Sequence, residues 1–96
     1  MGYTLVGTDE NSTTFEVRAG SRMVVGRAFT CDIPLIHPTV SRRHAEIHCY
    51  ESGIYVRDMG SRNGTFVNGA RVLSAALKPG QEITFGGVTW RPEWST

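Results

Sequence analysis

The run Ser41-Arg42-Arg43-His44-Ala45-Glu46-Ile47-His48-Cys49-Tyr50 carries two messages. Its second part alternates. Ala45, Ile47 and Cys49 fall on one face and Glu46, His48 and Tyr50 on the other, the period of two that marks a half-buried β-strand. Its first part is polar and follows the turn signals His37-Pro38-Thr39-Val40, so Ser41 and Arg42 sit on the loop that feeds the strand. That loop is furnished for an anion. A serine hydroxyl donates one hydrogen bond, and a guanidinium offers a planar fork of donors matched to a phosphate or a carboxylate. His44, three residues after Ser41, is placed to brace the loop from behind.

Working outward, the same strand-and-turn grammar continues on both sides. Upstream, residues 3–7, 14–17 and 22–25 read as strands, parted by a polar, turn-like stretch at 8–13 and a turn at Ala19-Gly20-Ser21. Gly26 ends the third strand, which leaves Arg27 on a loop just past a rigid platform. Residues 28–32 read as loop. Residues 33–36 read as a short edge strand, where the missing donor of Pro34 is tolerated.

Downstream, Glu51-Ser52-Gly53 turns the chain into a strand at 54–58 with Ile54 and Val56 facing inward. Asn63-Gly64 and Asn68-Gly69 flank Thr65-Phe66-Val67. Asn-Gly accepts positive φ at both residues and is the strongest short hairpin signal, so a very short strand between two tight turns is expected here. Residues 72–77 are weakly patterned, Lys78-Pro79-Gly80 is a turn, and 82–85 and 88–90 are the closing strands. No stretch supports a helix longer than a turn. Many short strands at a spacing of ~8 to 12 residues point to an all-β sandwich or barrel.

Gly26-Arg27, then Ser41-x-x-His44, then Asn63-Gly64, in this order and at this spacing, resemble the signature of the forkhead-associated (FHA) domain, a phosphothreonine-reading module. The resemblance runs from about Val24 to Gly86, and no signature position is missing. It implies a β-sandwich of two mostly antiparallel twisted sheets, with roughly eleven short strands. The chain ends would lie together, and the binding loops at the opposite end. It also implies roles. Arg27, Ser41 and Arg42 would hold the phosphate, Asn63 would bond the peptide backbone beside it, and Gly26, His44, Gly64 and Asn68 would support the site. Arg62 stands where other members often carry a small hydroxyl residue that touches ligand, and Thr39 where the family tends to read the third residue after the phosphothreonine; both are therefore expected to face the peptide. Arg43 is expected to be a solvated charge.

Composition fits that reading. Ninety-six residues make one domain, 1–96, large enough to bury about two thirds of the unfolded chain's surface without disulfide or metal. Apolar residues are 40% and charged residues 20%, and no apolar run approaches the ~18 residues of a membrane span, so no membrane partner is expected. A formal charge of +1 argues against a bulk nucleic-acid binder. Cys31 and Cys49 are too few for a disulfide scaffold and nothing resembles a secretory signal, which makes a reduced cytoplasmic setting the expectation. Met1-Gly2 opens like a myristoylation motif, but Val6 stands where Ser or Thr is wanted.

Two other chemistries deserve weighing. Ser41, His44 and Asp58 have the residue types of a hydrolase triad, yet no G-x-S-x-G elbow surrounds Ser41, so no enzyme is expected. His44 and His48 are four apart, and on a strand that is about 13 Å, too far to share an ion. With no C-x-x-C, neither a metal nor another cofactor is expected. The expected partner is a phosphothreonine-containing substrate of a Ser/Thr kinase. The alternative is an FHA fold serving as a phosphate-independent assembly element, but such members typically lose the arginine or the serine, and this chain keeps both.

Overall fold

The computed structural model describes residues 2–7, 14–78 and 80–95, and the side chains of 14–78 and 80–91. The polar stretch at 8–13 and Pro79 of the expected turn lie outside the described residues. Among the described residues, eleven strands pair into two sheets. In chain order they are β1 (Gly2–Gly7), β2 (Thr14–Arg18), β3 (Arg22–Gly26), β4 (Ile33–Pro34), β5 (Ala45–Tyr50), β6 (Gly53–Asp58), β7 (Thr65–Val67), β8 (Ala70–Val72), β9 (Ser74–Leu77), β10 (Ile83–Phe85) and β11 (Val88–Ser95).

One sheet has the order β2-β1-β11-β10-β7-β8 and the other β4-β3-β5-β6-β9. Every pairing is antiparallel except β3 with β4, which is parallel. The all-β, two-sheet sandwich expected from the sequence is the architecture found.

Alternation explains why the sheets face each other. Ala45, Ile47 and Cys49 of β5 are buried with Ile54 and Val56 of β6, while Tyr50 and Tyr55 point out. From the opposite sheet Val17, Ile83, Phe85 and Trp90 close the same core. On the outer face of the five-stranded sheet, Glu46 lies between Arg22 (3.6 Å) and Arg57 (3.2 Å), so two of the arginines are spent on a strand surface.

Three sequence expectations change in detail. The expected strand at 33–36 pairs only over Ile33–Pro34. Proline brings no donor, and beyond it Leu35 N–H goes to Gly26 O (2.8 Å) and His37 N–H to Leu35 O (3.0 Å), which turns the chain away. The weak pattern at 72–77 resolves into the end of β8 and all of β9, which belong to different sheets. A strand that changes sheet mid-run resets its inward face, so no single period survives; Leu73, at the crossing, is 80% exposed.

The third concerns the two Asn-Gly pairs. Asn68 (φ 48°) and Gly69 (φ 82°) make the tight turn between β7 and β8. Asn63-Gly64 is no hairpin, because β6 and β7 lie in opposite sheets and only Gly64 has a positive φ (91°). This segment instead carries the chain across the end of the sandwich.

Register decides where that end is. Val25 faces Ala45, Ala45 faces Asp58, and Thr65 faces both Phe85 and Val72. The loops after β3, before β5, after β6 and between β10 and β11 therefore gather at one end. Gly2 pairs with Ser95 and Gly7 with Trp90, so the outer ends of β1 and β11 lie together at the other.

Gly26 shows how tightly the first end is drawn together. A Cβ there would lie 2.2 Å from the Arg42 carbonyl oxygen and 2.8 Å from its carbon, both backbone atoms that cannot swing aside. Gly26→Ala should cost about 1–3 kcal/mol through this overpacking. In a domain of this size that lowers the melting temperature by roughly 5–20 °C. Thermal denaturation checks it, and an unchanged melt would mean that the Arg42 backbone is free to move.

Candidate functional site

His44 is the centre of the loop end. It is 0% exposed. Its backbone joins the two strands beside β5: N–H donates to Val25 O (2.8 Å) and C=O accepts from Met59 N–H (2.9 Å). Its ring spans the sandwich. Ser41 N–H donates to Nδ1 (3.0 Å), so Nδ1 is the unprotonated nitrogen and Nε2–H donates to Gly64 O (2.8 Å). The ring edge packs on Phe85, centroid to centroid 5.8 Å. One neutral imidazole thus ties the Ser41 loop to the segment entering the opposite sheet.

Asp58, at the end of β6, knots the next loop. Its Oδ2 accepts from Gly60 N–H and Ser61 N–H, both at 3.0 Å, and its Oδ1 from the Ser61 and Thr65 hydroxyls. The Ser61 hydroxyl oxygen in turn accepts from Gly64 N–H (3.1 Å). Burial acts to raise the carboxyl pKa, but the hydrogen bonds from Ser61, Thr65 and Gly60 outweigh it and hold it below the usual range. Asp58 is committed to loop architecture. It has no contact with His44 resembling a triad.

On this frame Arg27 and Arg42 present their guanidiniums. Arg27 N–H donates to Ser41 O (2.9 Å) and Ala28 N–H to Arg42 O (3.2 Å), so the two loops run side by side. Arg27 Nε–H donates to Val40 O (3.1 Å), which fixes the guanidinium. Beneath, the Cys31 thiol donates to Arg42 O (3.1 Å). Arg27 and Arg42 line one shallow cleft together with Ala28, Phe29 and Ile36. Among the described residues the salt bridges found go to Glu46, and neither Arg27 nor Arg42 is paired with a carboxylate.

Ser41 and Asn63 each have one bond already made. The Ser41 hydroxyl oxygen accepts from Arg62 N–H (3.0 Å), which leaves its O–H to donate elsewhere. Asn63 Nδ2 donates to Thr39 O (2.8 Å), leaving its second N–H and its carbonyl. The Arg62 and Arg43 side chains are exposed.

Thr39 has less to offer than the sequence suggested. Its hydroxyl accepts from Gly87 N–H (2.7 Å) and donates to His37 Nδ1 (2.7 Å), and Gly86 packs so closely on it that a Cβ there would meet Thr39 O at 2.3 Å. Asn68 lies on the β7–β8 turn, at the opposite end from the loops, where its side chain accepts from Glu82 N–H (2.7 Å). Its support is to β10, at one remove from the site.

The sequence reading missed three builders and one neighbour. Asp58, Ser61 and Thr65 form the knot; the signal available was the spacing of an Asp with a Ser three residues on, a side-chain-to-backbone turn pattern. Arg71 reaches Gly64 from β8, since a Cβ on Gly64 would lie 2.9 Å from its Nε. No local pattern marks that contact, which depends on the β7–β8 hairpin.

The FHA domain profile matches residues 23–86. The chain belongs to the FHA family. It is 44% identical over 75 residues to the glycogen accumulation regulator GarA of Mycobacterium tuberculosis, covering 71% of this chain and 46% of GarA. The chain thus spans about half the length of that relative. It is 38% identical over 71 residues to the DNA damage response protein kinase DUN1 of Saccharomyces cerevisiae, covering 65% of this chain and 14% of the kinase.

Among solved structures, an FHA domain studied for phosphothreonine-dependent interactions superposes with a TM-score of 0.91 at 30% identity, covering 100% of this chain and 99% of the other. The FhaA FHA domain, crystallised with the intracellular domain of a partner, gives 0.87 at 32%, covering 95% and 99%. An FHA domain from Chlamydia trachomatis gives 0.92 at 23%, covering 100% of both chains, a likeness of fold.

The Asp58 knot fixes a pH dependence. A carboxyl whose pKa is lower folded than unfolded contributes stability that is complete above the unfolded value, about 3.9, and is lost as pH falls through the folded value. Asp58→Asn should therefore be less stable than wild type at neutral pH, and its stability should fall less steeply below pH ~4. Urea melts at a series of pH values measure both. Parallel curves would remove Asp58 from the acid transition.

Proposed function

We propose that this FHA domain, residues 1–96, is a non-catalytic module that binds phosphothreonine-containing segments of partner proteins in Ser/Thr kinase signalling. The observation that carries the reading is the pair of guanidiniums, Arg27 and Arg42, on one cleft with no carboxylate opposite them among the described residues. Placing two such groups together repels unless an anion comes between them. A phosphothreonine supplies about −1.5 to −2 charges and three acceptor oxygens. Arg27, Arg42 and the free O–H of Ser41 meet those oxygens, and the remaining N–H and carbonyl of Asn63 meet the peptide backbone. Arg62 adds charge at the rim.

Kinship supports this. GarA is a regulator, and one close structural relative has interactions that depend on phosphothreonine. The arginine and the serine that a phosphate-independent assembly role would not need are both here and both held in place. Catalysis has no support in the geometry, because His44, the base a Ser41 nucleophile would require, spends Nδ1 on the Ser41 amide and Nε2 on a carbonyl. A cytoplasmic setting, beside the kinase whose substrates it would read, is part of this proposal; no helix among the described residues is long and apolar enough to cross a membrane.

Isothermal titration of one peptide in four forms tests the reading: phosphothreonine, phosphoserine, threonine and glutamate. The first should bind at micromolar strength and the second at least about ten times weaker, since one buried methyl is worth 10-fold or more. The last two should not bind measurably. Arg27→Ala should weaken the phosphothreonine peptide on the order of 30- to 1,000-fold with little change in melting. Equal affinity for all four forms, or full affinity without Arg27, would overturn the proposal.

The serine and histidine separate along the same line. His44→Ala removes the bond across the sandwich and leaves Ser41 N–H and Gly64 O without it, so melting temperature and affinity should fall together. Ser41→Ala gives up the ligand donor and a bond from the exposed Arg62 amide, so affinity should fall with only a small loss of stability. Differential scanning fluorimetry beside the titrations reads both quantities.

A further inference from the structure

Phe29 is 86% exposed and Ile36 74% exposed, two of the largest apolar side chains on the surface of a small domain. They are not scattered. Phe29 comes from the loop between β3 and β4 and Ile36 from the loop between β4 and β5, and they meet across a cleft of about 250 Å³ whose other walls are Ala28, Arg27 and Arg42. The backbones beneath are fixed, with Cys31 N–H donating to Ala28 O (3.0 Å) and Leu35 N–H to Gly26 O (2.8 Å). Leu35, between Pro34 and Ile36, is the one turned into the core.

Resting on the phosphothreonine reading above, we infer that Phe29 and Ile36 form a specificity subsite for one large aliphatic or aromatic side chain of the bound peptide, within two residues of the phosphothreonine. The cleft is continuous with the phosphate site, because the two arginines assigned to the phosphate are also its walls. An anion on those arginines fixes the peptide beside it. In an extended peptide each residue advances about 3.3 Å, so a neighbour one or two places away reaches the cleft while the phosphate stays seated. The volume is below the roughly 300 Å³ at which pockets for whole small molecules begin, and suits a single side chain.

Burying a leucine-sized side chain against Phe29 and Ile36 is worth on the order of 10-fold or more in affinity. The test is an oriented phosphothreonine peptide library screened with wild type, Phe29→Ser, Ile36→Ser and Arg27→Ala. Wild type should select Leu, Ile, Met or Phe at one position within two residues of the phosphothreonine. In titrations, the peptide with leucine there should bind roughly 10-fold tighter than its alanine counterpart, and each serine variant should reduce that ratio to about twofold or less.

An equal preference in the serine variants, or none in wild type, overturns the subsite while phosphate dependence stands. Binding that ignores Arg27 or the phosphate overturns the underlying reading and this one with it. A serine variant that changes only the sedimentation coefficient makes the cleft a contact between copies of the chain, and likewise overturns it. Both side chains are exposed, so the variants should melt as wild type does.

Discussion

A single imidazole closes one end of this sandwich. Without the His44 ring, the Ser41 loop and the segment leading into β7 would be tied only by the bonds from Arg62 N–H to the Ser41 hydroxyl and from the Asn63 amide to Thr39 O, both at the exposed rim. The interior between them would be held by apolar packing, which is non-directional. With it, the Ser41 amide and the Gly64 carbonyl are held at fixed points on opposite sides of one rigid ring. The ring can do this only in one tautomer, and both of its nitrogens are used. The bond to Gly64 O is fully buried and the one from Ser41 N–H partly so, which makes the first the more expensive to break.

The other loops are built outward from that brace by the same device, a side chain replacing a missing strand partner. Asp32 accepts from Val24 N–H (2.8 Å) one residue before β4 begins to pair. Asp58 gathers the amides of Gly60 and Ser61, and Thr39 takes the amide of Gly87. Each bond fixes backbone that no ladder reaches. Glycine permits the approach where two backbones nearly touch, at Gly26 against Arg42 and at Gly86 against Thr39. The consequence is a loop end with little freedom left to lose, so that a ligand bound there would consume less of its interaction energy in ordering the loops.

What the sequence disclosed follows from which forces are local. Strand positions and inward faces were legible because alternation is written residue by residue, as in Ala45, Ile47 and Cys49. The signature residues were legible because their types and spacing are unusual together. Asn63-Gly64 misled because Asn-Gly encodes backbone freedom and leaves its use open; at Asn68-Gly69 that freedom makes a hairpin, and at 63–64 it makes a crossing between sheets. The run at 72–77 was illegible because its two halves face different partners. The hidden commitment of Thr39 to His37 and Gly87 depends on a residue 48 positions away, which no window along the chain could connect.

Charge is arranged as deliberately as shape. The chain carries a net charge of only +1, so there is no general field to draw in polyanions. Glu46 pairs with both Arg22 and Arg57 on the outer sheet face, offsetting one of their two charges, while Arg27, Arg42, Arg43, Arg62 and Arg71 remain at or beside the loop end. At physiological salt, charges are screened over about 8 Å, so these arginines act on an anion only once it is nearly in place. Attraction at that range rewards a compact, doubly charged group far more than a spread-out one. In the proposed site, selectivity for phosphate over a single carboxylate would therefore come from clustering the arginines locally in a nearly neutral protein, and a uniformly basic surface would weaken it.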